Sequence, residues 1–183
     1  MLTTARPAHT APTRATVARH IDAPIETVFS LLADVHSWPR WGPFTDTGTP
    51  AHLDRPGVPH PIRLGRRQLH VALSSPDAPY WVRYRLAGGP ALAQHTADVT
   101  LSPTDDGGTD LHWRATLTRH LPGTGRRRAA ALEAAVARVA ALLASAAEDP
   151  ATTRAEWAHA RHDVAAAPVR SLTDGPAGDN VAA

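Results

Sequence analysis

His95 and Tyr84 are the residues of this sequence best suited to chemistry. His95 falls between Ala93 and Ala97 in an alternating run, so its neighbours on the same face are small. An imidazole with room around it can act as a general acid or base near neutral pH. It can equally be a core histidine hydrogen-bonded to a tyrosine. Tyr84 and Tyr80 share the inward parity of residues 80–86. A buried phenol wants a hydrogen-bond partner, and a ligand carbonyl would serve and be polarised by it. The plain alternative is aromatic packing with the hydroxyl on the backbone. Arg19 has the parity of Val17 and Ile21 and is expected to face inward, where it would need an anionic partner.

Other chemistries are excluded or weak. There is no cysteine, so disulfides, thiolate catalysis and Cys-bound metals are ruled out. There is no lysine, so there is no Schiff-base chemistry. The pI of about 9.9 reflects a small excess of arginine, with a formal charge of only +2. Gly123-Thr124-Gly125 lacks the rest of a dinucleotide or P-loop fingerprint, and no G-x-S-x-G elbow occurs. A high pI with so small a net charge is weak evidence for nucleic-acid binding, so nucleic acid is not an expected partner. Arg126, Arg127 and Arg128 could hold a phosphate or form a solvated cluster. Glu156, His159 and His162 share a helical face but lack a further ligand, so no metal is expected.

The elements that must position these groups follow from pattern and punctuation. The 183 residues, 43% of them hydrophobic, suffice for one domain with a packed core. Residues 13–21 read as a strand. Val28, Leu31, Leu32 and Val35 then recur at helical spacing, with Asp22 as N-cap and Pro24 in the first turn. A short helical turn is expected around 39–43 and a proline-rich loop over 46–61. Strands follow at 62–64 with 68–74, at 80–86, at 92–101 and at 110–120. The breaks Ser75-Pro76-Asp77, Gly88-Gly89-Pro90 and Asp105-Asp106-Gly107-Gly108 suit an antiparallel meander. Alternation turns Tyr80, Val82, Tyr84 and Leu86 inward, then Ala93, His95, Ala97, Val99 and Leu101, then Leu111, Trp113, Ala115 and Leu117. Arg83, Arg85, His112 and Arg114 face water.

A long helix spans 125–148, with Leu132, Val136, Val139 and Leu143 in one stripe. A shorter helix is expected at about 153–164. The organisation is a disordered tail over 1–12, a domain over 13–149, and an extra helix with a flexible tail over 150–183. No apolar run reaches the length of a membrane span, and the N-terminus has no signal-peptide centre, so a cytoplasmic protein is expected.

The segment from His20 to Trp41, with its strand end, Asp22-Ala23-Pro24 helix start and Trp38-Pro39-Arg40-Trp41 turn, resembles the opening of the START-related SRPBCC superfamily. So do Tyr84-Arg85-Leu86-Ala87-Gly88-Gly89-Pro90, Gly107-Gly108-Thr109-Asp110-Leu111-His112-Trp113 and Leu121-Pro122-Gly123-Thr124-Gly125. Together they cover about residues 13–148. One departure is that an acidic residue carried by many relatives is absent around His70-Val71-Ala72.

The resemblance implies an α+β helix-grip fold: a curved antiparallel sheet wrapped around a long C-terminal helix, two short helices after the first strand, and an internal cavity. It implies polyketide cyclase/dehydrase-like chemistry on a hydrophobic, polyketide-like or polycyclic molecule, with no cofactor, in a monomer or homodimer. Arg63 becomes interesting there, because a guanidinium can hold an enolate, although Ile62 and Leu64 point it outward. With His95, Tyr84 and Arg19 it completes the catalytic candidates. Trp41 and Phe44 fall where the portal of such a fold would be. Tyr80, Val82, Ala97, Trp113, Ala115, Leu132, Val136 and Val139 would line the cavity. A non-catalytic carrier of a lipid, sterol or polyketide, and a partner-binding domain, are the other readings.

Overall fold

The computed structural model describes residues 11–46, 57–88, 92–118 and 125–149. The expected tails, the Ala93 side chain and the helix near 153–164 lie outside the residues described. Strand β1 (Thr13–Ile21) leads into helix α1 (Ile25–Ala33), a 3-10 turn (Val35–Ser37) and the short helix α2 (Trp38–Trp41). Strands β2 (Phe44–Asp46), β3 (His60–Leu64), β4 (Arg67–Asp77), β5 (Trp81–Gly88), β6 (Leu92–Pro103) and β7 (Thr109–Thr118) follow. Helix α3 (Gly125–Glu148) closes the domain.

All seven strands form one antiparallel sheet in the order β1-β7-β6-β5-β4-β3-β2. Period-2 alternation selects its buried face: Val82 and Tyr84, then His95, Ala97, Val99 and Leu101, then Leu111, Trp113, Ala115 and Leu117 are buried. Arg83, Arg85, His112 and Arg114 are exposed on the other face. Gly107 makes the β6–β7 turn with φ +85°, a backbone region that side-chain-bearing residues rarely adopt.

The start of α1 differs from expectation. Pro24, not Asp22, is the N-cap, and its carbonyl accepts from Thr27 N and Val28 N. Asp22 instead donates its backbone N–H to Glu148 Oε1 at 3.2 Å, tying the start of α1 to the end of α3. The C-terminal carbonyls of α1 are satisfied by the tryptophans that follow. Trp38 Nε1 donates to Leu32 O at 3.1 Å and Trp41 Nε1 to Leu31 O at 3.0 Å.

Helix α3 packs chiefly along β1, with further contacts to α1, α2 and β7. Its buried stripe is Leu132, Val136, Ala140, Leu143, Ala144 and Ala147, the 3.6-residue period that the sequence announces. Val139 and Leu142 are half-buried against the core. Among the described residues, one helix meets the length and composition of a membrane span, a test that a core helix passes as well. Arg126–Glu148 is long and apolar enough by composition, with a mean hydropathy of 1.6 over its best window. Alanine supplies much of that value, and the leucine and valine stripe is spent on the sheet.

In its antiparallel sheet, its short helices after β1 and its long C-terminal helix, the arrangement is the α+β helix-grip fold that the resemblance implied. Because Leu143 is fully buried where α3 meets the sheet, Leu143→Ala should lose about 2–5 kcal/mol in urea unfolding, and Leu142→Ala clearly less.

Candidate functional site

The sheet register brings together what the sequence separates. Tyr84 on β5 pairs with Ala97 on β6, which pairs with Ala115 on β7 and then Ala15 on β1. Three small residues therefore extend the Tyr84 row across the concave face. His95 lies on the adjacent inward row, paired with Leu86 and Leu117. The Tyr84 and His95 rings lie 5.9 Å apart, centroid to centroid, inclined at 32°.

An aromatic wall surrounds them. Trp113 meets Tyr84 edge-on at 5.9 Å, and Trp38 meets it edge-on at 5.5 Å. Phe44 stacks on Trp38 at 5.2 Å. Two polar atoms in this wall, His95 Nδ1 and Trp113 Nε1, are buried without a hydrogen-bond partner. They differ in what they can offer: an indole N–H only donates, whereas a neutral imidazole nitrogen donates or accepts.

Burial fixes the protonation states. The His95 imidazole is pushed down to about 4, because the charged form would lose its hydration inside the core. The Tyr84 phenol is pushed well up for the same reason. Both groups are therefore neutral at physiological pH. The site can exchange hydrogen bonds and stack on flat ligands, but it presents no fixed charge.

The other expected residues divide. Val82, Ala97 and Ala115 on the sheet are buried, as are Leu132 and Val136 on α3, while Val139 is half-buried. Arg19 is not inward: it is exposed, beside a surface groove of about 240 Å³ shared with His20, Asp110 and His112. It stands on the edge strand, where its long stem can carry the charge to water and avoid an unpaired buried cation. Arg63 is exposed as well, so neither arginine joins the site. Tyr80 is corrected too. It precedes β5, in the turn after Pro79, and is 53% exposed. Trp41 and Phe44 are not at a mouth. Both are buried, and the Trp41 indole N–H is committed to Leu31 O and Ser37 Oγ.

The sequence reading missed His60, which is buried on β3 with the inward parity of Ile62. The signal was present in His60-Pro61-Ile62, but the surrounding prolines read as loop. The 3-10 turn residue His36 was missed as well, and its Nε2 is buried without a partner.

The lowered His95 value carries a stability consequence. Between pH 6.5 and about 4 the unfolded chain binds this proton more readily than the folded one. His95 therefore costs nothing above that window and progressively more as pH falls through it, on the order of 3 kcal/mol at the lower end. Urea unfolding of wild type and His95→Phe should show it. From pH 7.5 to 4.5 the wild type should lose about 2–3 kcal/mol more than the variant, whereas parallel profiles would contradict a buried neutral imidazole.

Comparison with known proteins agrees with this fold. A sequence profile described as polyketide cyclase / dehydrase and lipid transport matches residues 12–149. A START superfamily protein from Mycobacterium smegmatis superposes with a TM-score of 0.62 at 16% identity, over 74% of this chain and 97% of that one. CalU16 from Micromonospora echinospora superposes with a TM-score of 0.53 at 14% identity, over 90% and 100% of the two chains. DynU16, from the dynemicin biosynthetic locus, does so with a TM-score of 0.60 at 17% identity over 78% of this chain. The match covers 49% of DynU16, so this chain spans about half of that protein. No curated protein matches this chain. At these identities the superpositions speak for the fold, and the profile, which takes in most of the chain, speaks for the family. This chain belongs to the polyketide cyclase / dehydrase and lipid transport family.

Proposed function

We propose that this protein is a cytoplasmic, cofactor-independent cyclase of hydrophobic, polyketide-like intermediates, acting at Tyr84 and His95. The observation that carries the reading is the neutral phenol–imidazole pair, buried ring to ring among Trp38, Trp113 and Phe44. Holding a flexible chain in one reactive conformer can by itself supply several kcal/mol of the barrier. Tyr84, fully protonated, would donate to a substrate carbonyl and draw electron density from it. His95, neutral, would accept a proton from the carbon between two carbonyls; the enolate carbon would attack a second carbonyl carbon to close the ring, and the imidazolium would return the proton to the new alkoxide oxygen. The aromatic faces would stack on the planar product. Ala97 and Ala115, the cross-strand neighbours in the Tyr84 row, add little side-chain bulk there, and the reading requires that the substrate occupy the space this leaves.

One observation favours a second reading, a non-catalytic carrier. Arg19 and Arg63 both face water, so neither is placed to hold an enolate. A carrier needs the apolar enclosure alone.

Substitutions separate the two. Tyr84→Phe and His95→Phe should each lower turnover of a poly-β-carbonyl thioester roughly 100-fold while ligand binding stays within a few-fold. Equal binding with no turnover in the wild type would favour the carrier. Ala97→Leu tests for the enclosure that both readings need. If ligand space adjoins Tyr84, the variant should unfold within about 0.5 kcal/mol of wild type yet lose ligand binding. A loss of about 1–3 kcal/mol would mark that position as solid core.

A further inference from the structure

A second pocket opens between the 3-10 turn after α1 and the strands β3 and β4. Its volume is about 400 Å³, and Ala33, Asp34, Val35 and His36 line it on one side, His60 and Leu73 on the other. That size falls within the ~300–1,000 Å³ usual for small-molecule sites. Leu73 is the register partner of Tyr84, but neither Tyr84 nor His95 lines this pocket. The proposed cyclase chemistry makes no use of it.

The one carboxylate among the described residues of its lining is Asp34. Asp34 Oδ1 accepts from His36 N at 2.9 Å. Among the described residues Asp34 Oδ2 meets Arg40 Nη2, at 4.0 Å, in a pair whose arginine is mostly exposed, a contact of little strength. The negative end of the α1 dipole adds to this potential. His60 is buried and held below its ordinary value, first by that burial and then by His36 nearby, so it presents a neutral ring. His36 Nε2 is buried without a partner and would be satisfied by a donor entering here. Ala33, Val35 and Leu73 supply apolar walls. An anion would be repelled by Asp34, and a plain hydrocarbon would leave the imidazoles and the carboxylate unanswered.

We propose that this pocket binds a small organic ammonium ion with an apolar body. The ammonium sits between Asp34 Oδ2 and an imidazole nitrogen, and the body lies on Val35, Ala33 and Leu73. This site is independent of the cyclase reading, and either can fail without the other.

The probe is phenethylamine, titrated into the full chain, with phenethyl alcohol and phenylacetate as controls. Proton–carbon correlation spectra of the histidine rings report the result. The expected outcome is saturable shifts at His36 and His60, unchanged His95, and no saturation with either control. Asp34→Asn should weaken binding roughly tenfold. Leu73→Trp, which fills the pocket, should abolish binding while the His95 signal keeps its position and so reports an intact core. Equal binding of phenylacetate, an unchanged affinity in Asp34→Asn, or shifts confined to His95 would overturn the proposal.

Discussion

The clamp of α3 along the edge strand β1 is the constraint on which the rest of this molecule depends. A straight 24-residue helix cannot follow a curved seven-stranded sheet. It packs on β1 and touches β7 lightly, while the concave sides of β4, β5 and β6 are left to other groups. Large aromatic side chains, helix α1 and the Trp38–Trp41 turn take up that region. The hydrogen bond from Asp22 N to Glu148 Oε1 ties the clamp to the start of α1, and so to the wall around Tyr84.

Inside that region the dominant electrostatic effect is desolvation, and among the described residues no ion pair opposes it. Tyr84 and His95 move in opposite directions on the pKa scale for the same reason, because each is driven toward its neutral form. The proposed chemistry is accordingly that of a neutral hydrogen-bonding pair on an apolar wall. The charged residues stand elsewhere. Arg83 pairs with Asp98 at 2.6 Å on the opposite face of the sheet and lies over Trp81. His20 bridges Asp110 and Asp106 at the far end of β1.

Much of this was legible in the sequence wherever one physical rule acted alone. Alternation placed Tyr84, His95 and Trp113 on one face because one face of the sheet is buried and the other wet. The α3 stripe was readable because a helix of that length must hide one side. The failures have physical causes as well. Parity was carried to Tyr80, one residue before β5 begins. It was applied to Arg19 on an edge strand, where a long side chain can escape the face its Cβ suggests. The prolines near His60 hid a strand with a buried histidine. The indoles of Trp38 and Trp41 bond to helix carbonyls six and ten residues back, a closure set by the turn geometry and invisible in residue spacing.

The central claim is that the aromatic interior beside Tyr84 and His95 holds a hydrophobic molecule. Native mass spectrometry of the purified protein, followed by denaturing extraction, tests it most directly. The account predicts a bound small molecule, flat or polyene in character, released on unfolding and absent from Ala97→Leu. A wild type that carries no such molecule, and shows no thermal shift with any polycyclic or polyene compound, would contradict it.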